Sequence, residues 1–278
     1  CWMPTMFDPT GIPRIFGVAA GVDFPQALIK GLRDRLDGQP PHAIATVDVI
    51  VNTRRMARRI RTLFDQGSAR LLPRVDLLTD LGEHWDMAHI PDPVPRLRRR
   101  LELVQLISTL LDTQPDLAPR SAIFDLSDSL AGLMDEMHGE GVPPQVIEDL
   151  DVTDQSGHWA RIKSFLGIVR HYFEADPENP DVETRQRLVI ERLADLWAQD
   201  APQSPIIVAG STGSRGGTNE LMRAVARLPQ GALVLPGFDF DTPESVWHGL
   251  TDALASEDHP QFRFAKLIND LGMQAGEV

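Results

Sequence analysis

Cysteine is nearly missing from this sequence: Cys1 is the single one in 278 residues. That excludes a disulfide framework, a cysteine zinc site and an iron–sulfur cluster built from this chain alone. Lysine is almost as scarce, with Lys30, Lys163 and Lys266 the full set. None sits in a Glu-x-Lys pair, so the core of a metal-dependent nuclease is not expected. The eight histidines are scattered, with no pair at metal-ligand spacing beside a carboxylate, and no metal site is expected either. No apolar run approaches the length of a membrane span, and Cys1 to Thr10 lacks a basic start followed by an apolar stretch, so a cytoplasmic location without membrane contact is the expectation. Opening on cysteine reads as a fragment boundary, or leaves Met3 or Met6 as the start.

What is present begins with SPIIVAGSTGSRGGTNELMRAVARLPQGALVLPGFDFD, Ser204 to Asp241. Pro205 to Ala209 is a short β-branched run of the kind that forms a buried parallel strand, and it stops at a loop holding Gly210, Gly213, Gly216 and Gly217. Leu221, Met222, Val225, Ala226 and Leu228 then keep helical spacing, which predicts a helix opening at Asn219, and Ala232 to Leu235 is a second strand. The unit reads as βαβ with its loop at the carboxyl edge of a sheet, where such folds bind ligands.

The loop is nevertheless short of one residue. A Walker loop needs a lysine after its second glycine to meet the β and γ phosphate charges. Aligning Gly216 with that glycine leaves Ser211 at the first glycine and Gly217 at the lysine. The spacing Gly210-x-x-Gly213-x-x-Gly216 also misses the dinucleotide fingerprint. The first strand's loop, Gly17 to Phe24, has no lysine. Lys163-Ser164 follows Gly157 at Walker spacing, but Ile162 replaces a glycine within a helical pattern, so the match reads as chance. No cofactor is expected, and ATP hydrolysis is not expected of this segment.

Charge is unevenly spread over a net of −13. Residues 1–100 hold 15 Lys and Arg against 11 Asp and Glu, and the remainder 12 against 29. Asymmetry of this size points to a partner. The basic part centres on VDVIVNTRRMARRIRTLF, Val47 to Phe64: a buried strand, then Asn52-Thr53, then a helix with Arg54, Arg55, Arg58, Arg59 and Arg61 around its first two turns. Amides and hydroxyls at a helix start suit phosphate, and arginine forks bind it in bidentate fashion. A solvated amphipathic helix burying Met56, Ile60, Leu63 and Phe64 is compatible with the same pattern. Arg96, Arg98, Arg99 and Arg100 form a second basic cluster that could extend the surface.

Along the chain, strands are expected at Arg14 to Val18 and Val47 to Val51, helices at Phe24 to Leu36 and Arg54 to Phe64, and a strand or short helix at Leu71 to Leu78. A run of helices follows, at Leu97 to Leu111, Ser121 to His138, Pro144 to Leu150, Gly157 to Phe173 and Val182 to Trp197, then the βαβ unit and a last helix, Phe262 to Leu271. The fold class is α/β: a parallel sheet of four or five strands with a large α-helical insertion. Its expected parts are residues 1–91, the insertion 92–203, and the continuation 204–278. Two hydrolytic patterns are weaker. Ala209-Gly-Ser211-Thr-Gly213 resembles a nucleophile elbow, followed in triad order by Asp239 or Asp241 and His248 or His259. Asp239-Phe-Asp241-Thr242 resembles an aspartyl phosphatase loop, with Pro243 out of pattern.

Six blocks in order carry a broader likeness: VNTRRMARRIRTLF (Val51 to Phe64), RLLPR (Arg70 to Arg74), LRRRLELVQLI (Leu97 to Ile107), LMDEMHGEGV (Leu133 to Val142), PIIVAGSTGSRGGT (Pro205 to Thr218) and LPQGALVLPGFDFD (Leu228 to Asp241). With them the chain, from Ile15 onward, resembles the N-terminal region of the AddB family, the B subunits of bacterial AddAB helicase–nucleases, in its alphaproteobacterial form. The resemblance implies a P-loop-NTPase, superfamily-one-helicase-like fold whose ATPase machinery has decayed. It implies a non-motor DNA-binding and scaffolding role in double-strand-break repair, with an AddA-type subunit and single-stranded or duplex-end DNA as partners. The family's nuclease and iron–sulfur cysteines lie in a C-terminal region outside these residues. The segment it assigns to the DNA backbone holds Asn52, Thr53, Arg54, Arg55, Arg58 and Arg59, while the second loop would lie near the former Walker B motif, its amides and hydroxyls with Ser211, Thr212, Ser214 and Arg215 expected to hold a DNA phosphate or none. A small-molecule enzyme using residues 210–218, as dinucleotide binder or serine hydrolase, and a pure protein-interaction module stay open as alternatives.

Overall fold

The structure, a computed structural model, describes residues 6–8, 10–66, 71–83, 85, 87, 89–143, 145–148, 178–250, 252 and 256–278. The helix expected at Gly157 to Phe173, and Lys163-Ser164 within it, lies outside these residues. Five β-branched or glycine-flanked runs form strands: β1 (Ile15–Ala19), β2 (Asp48–Val51), β3 (Arg74–Leu77), β4 (Ile206–Ala209) and β5 (Gly231–Phe238). The helices are α1 (Phe24–Arg35), α2 (Arg54–Asp65), α3 (Arg96–Thr113), α4 (Ile123–Glu140), α5 (Gln145–Glu148), α6 (Val182–Gln199), α7 (Gly216–Ala226), α8 (Glu244–Gly249) and α9 (Phe262–Asp270). The chain divides into two compact units, Cys1–Asp86 with Ile190–Val278, and Met87–Val189.

The first unit is α/β. Its strands make one all-parallel sheet in the order β1-β5-β4-β2-β3. β4, α7 and β5 form the expected βαβ unit with adjacent strands, whereas the crossover from β1 through α1 to β2 skips two strands. The chain steps one way along the sheet from β1 to β3 and the opposite way from β4 to β5. Right-handed crossovers therefore put α1 and α2 on one face and α7 on the other.

The core follows that division. Val49, Val51, Val75, Ile207, Ala209, Ala232 and Val234 pack with Phe24, Leu28, Ile29 and Leu32 of α1 and Ala57, Ile60, Leu63 and Phe64 of α2. The alternate strand residues Ile50, Ile206, Val208, Leu233 and Leu235 are buried on the opposite face. There α7 comes so close to β5 that any side chain at Gly231 would run into the Val225 carbonyl. Ile60 is 0% and Phe64 2% exposed. Truncating Phe64 to alanine in such a setting costs about 3–5 kcal/mol.

Two local differences from the sequence expectation have simple causes. α7 opens at Gly216 rather than Asn219, because Arg215 is extended (φ −100°, ψ 140°) and serves as N-cap, leaving both glycines in the first turn where their low helix propensity costs least. The ambiguous run at Leu71 to Leu78 splits, with Arg74–Leu77 pairing as β3 and Leu78–Glu83 turning as a 3-10 helix.

The second unit is helical. Leu103, Ile107 and Leu111 of α3 meet Leu130, Met134 and Met137 of α4 at helical spacing. α4 ends on Gly141 in the left-handed region (φ 67°), with the Val142 amide donating back to the Met137 carbonyl at 2.8 Å. Beside that cap, buried His138 Nδ1 bonds the Asp181 carboxylate, whose other oxygen accepts from the Thr184 amide at 2.7 Å and so caps α6.

Candidate functional site

β2 and β4 are neighbours in register, Val51 beside Ala209, so their loops leave the carboxyl edge side by side. The helices that follow, α2 and α7, go to opposite faces, the topology beside which open parallel sheets usually take ligands. Both residue groups expected from sequence therefore start from one place. Asn52 and Thr53 leave β2, while Ser211, Thr212, Ser214 and Arg215 leave β4. The loop after β4 packs against both helices through Gly210, where φ is +77° and a Cβ would lie 3.3 Å from Met56 Cε of α2 and 3.3 Å from Phe24 Cε1 of α1. Only glycine meets both demands cheaply.

Thr53 caps α2, its hydroxyl accepting from the Met56 amide at 3.2 Å. The five arginines that follow are exposed, yet they do not share one environment. Arg54, Arg58 and Arg61 line a groove of about 670 Å³ toward edge strand β3, with Asp65, Asp76 and Asp80 also on its walls. Arg61 is committed there, donating to the Val75 carbonyl at 2.6 Å. Arg59, one turn after Arg55, reaches Asp23 Oδ2 of the α1 cap at 3.3 Å. Among the described residues, Arg54, Arg55 and Arg58 make no ion pair or side-chain hydrogen bond.

Ser211 is buried and its hydroxyl accepts from the Gly213 amide at 3.2 Å, closing a local turn. Thr212, Ser214 and Arg215 are exposed at the rim. This geometry answers the hydrolytic patterns. A nucleophile elbow holds its serine in strained backbone, but among the described residues every positive φ belongs to glycine. His259 Nδ1 accepts from the Gln261 amide, and Asp239 takes the Thr242 hydroxyl at 2.8 Å and the Asp241 amide at 2.9 Å. Those bonds hold the Asp239 carboxyl below the usual range as a turn residue.

The second arginine cluster differs. Arg98 and Arg99 both meet Glu102, at 3.0 and 3.3 Å, Arg100 donates to Asp128 at 2.8 Å, and Arg96 lies 3.9 Å from Glu183. Among the described residues no three metal-ligating side chains gather, and no helix is long and apolar enough to cross a membrane. Sequence reasoning missed the pairing of Arg59 with Asp23. The signal was Asp23 standing just before Phe24-Pro25, the position of a helix cap. No protein-family model matches the chain, and comparison with curated proteins returns no match.

Proposed function

We propose that this chain is a non-motor, helicase-like segment that holds DNA and scaffolds a bacterial helicase–nuclease of the AddAB kind during double-strand-break repair. The observation that carries the DNA part is the state of Arg54, Arg55 and Arg58: exposed cations without a carboxylate partner among the described residues, on the first turns of a helix opening at the carboxyl edge. Phosphates supply the missing counter-charge, and the exposed hydroxyls of Thr212 and Ser214 offer further donors. The sequence blocks supply the repair context, with a cytoplasmic location, an AddA-type partner and no cofactor or catalytic residue in this segment.

The test is a titration of the chain with labelled single-stranded and partly single-stranded DNA at two salt concentrations. Three arginine–phosphate contacts on a single strand correspond to a log–log salt slope of about −2, or roughly 20-fold weaker binding from 50 to 200 mM salt. Absence of binding at low salt by the folded chain rejects the reading. A pure interaction module draws support from Leu97, Leu101 and Phe124, which are 66%, 55% and 56% exposed on the helical unit. Retention of an AddA-type subunit without retention of DNA would favour it.

A further inference from the structure

The start of α1 stands at the carboxyl edge of β1, a position at which parallel sheets take anions on helix amides. Here that position is filled from within. The first three residues of α1 are Phe24, Pro25 and Gln26. Pro25 has no amide hydrogen, and the Gln26 amide already donates to Asp23 Oδ1 at 3.2 Å. On the strand itself, the space above Gly17 is taken by Phe240, whose Cζ would stand 2.7 Å from a Cβ there. Asp23 thus supplies the negative charge at the helix start, and its second oxygen holds Arg59 Nη2 of α2 at 3.3 Å. The pair is not locked away, since the two side chains are 42% and 44% exposed. Water and salt screen an exposed pair of this kind, so its hold on the arginine is modest, on the scale of a few-fold in binding.

We propose that Asp23 is a positioning residue that acts as a built-in anion: it closes the β1 loop to phosphate and keeps Arg59 out of the set of arginines that α2 offers to a polyanion. The inference rests on the reading that α2 holds phosphates, and it sets how many of its arginines do so. Arg54, Arg55 and Arg58 are available, whereas Arg59 is held back by one neighbouring carboxylate.

The experiment uses the chain with a fluorescein-labelled 20-mer of thymidylate, titrated over a range of salt concentrations. Asp23→Asn keeps the oxygen that caps Gln26 and removes the charge; Asp23→Ser is a second capping variant should the first fold poorly. Each is expected to bind the 20-mer about 3- to 10-fold more tightly at 50 mM salt, with a slope steeper by about 0.7, the increment of one added phosphate contact on a single strand. In an Arg59→Gln background the same substitution is expected to leave the slope where it was. A slope unchanged by Asp23→Asn, or a gain as large without Arg59 as with it, overturns the inference while the DNA reading stands. Undiminished binding after Arg54, Arg55 and Arg58 become alanine, or no binding by any form, overturns both.

Discussion

α2 and α3 both open on arginine-rich runs, TRRMARRIR in one and PRLRRRLEL in the other, and the structure treats them differently. On α3 every arginine of the opening cluster has a carboxylate: Glu102 serves Arg98 and Arg99, Asp128 serves Arg100, and Glu183 lies 3.9 Å from Arg96. Among the described residues, on α2 one arginine of five reaches a carboxylate, Arg59, and one more is spent on a backbone carbonyl, Arg61. The density of arginine is therefore a poor guide to a phosphate site, and its pairing is a better one. An arginine already forked onto a carboxylate must give up that bond before it takes a phosphate.

The comparison breaks most severely if the helical unit that arranges the α3 pairs is loosened. His138 and Asp181 are each 8% exposed, and Asp181 also fixes the start of α6, where Glu183 faces Arg96. Asp181→Ala takes a buried carboxylate away from His138 and the cap away from α6, so the unit should lose about 3–5 kcal/mol, read as a lower denaturant midpoint of its transition. Burial alone would raise the Asp181 carboxyl, but its bonds to His138 and the Thr184 amide outweigh burial and hold it below the ordinary range. Its contribution is thus fully present above the unfolded value of about 3.9 and fades as pH falls through the lower folded value. Asp181→Asn should flatten that part of the acid-unfolding curve, and an unchanged curve would remove the pair from the account.

Next in size is the direct contrast in DNA binding. Converting Arg54, Arg55 and Arg58 to alanine should weaken binding at low salt on the order of 100-fold and take about 2 off the salt slope. Converting Arg96, Arg98 and Arg100 should change it less than about 3-fold, since those side chains already have carboxylates. Equal losses in the two triples would end the distinction between the helices.

Much of this was readable in the sequence, and for local reasons. The β-branched runs at Val47 to Val51 and Pro205 to Ala209 and the helical patterns at Arg54 to Phe64 and Leu97 to Leu111 each depend on neighbours along the chain, and each gave its element within a residue or two. The grouping of Asn52 and Thr53 with the Gly210 loop was not readable, because it depends on β4 pairing with β2 across a long insertion. Nor was the fate of the arginines. Arg100 finds Asp128 on another helix, and Arg59 finds Asp23 across a skipped crossover, so two arginine-rich runs end in unequal electrostatic states. The start of α7 was misplaced because glycine argues against a helix interior but not against its first turn.

Capping gives a finer test. α2 has the Thr53 hydroxyl on its Met56 amide, while α3 follows Pro95 and has no side-chain cap. Thr53→Ala should cost about 1 kcal/mol and fray the turn that carries Arg54 and Arg55, so DNA affinity should fall together with stability. Thr53→Ser, which restores the hydroxyl, should recover both, and recovery of stability without affinity would assign the threonine a role beyond the cap.

The smallest effect should come from the α3 pairs themselves. Arg98 and Glu102 sit one turn apart, with 66% and 32% of their side chains exposed, and Glu102 keeps Arg99 when Arg98 is removed. Water and salt screen such a pair, so Arg98→Ala should shift stability by less than about 0.5 kcal/mol at 150 mM salt. Glu102→Ala is the more telling change, because it takes the carboxylate from two arginines at once, and Arg99 then keeps only its bond to the Asn179 carbonyl at 3.2 Å. If pairing is what separates the helices, Glu102→Ala should steepen the salt slope of DNA binding toward that of a protein with more phosphate contacts. If the slope does not move, the separation lies in the elements that carry the arginines: α2 follows directly on strand β2, and α3 belongs to the helical unit.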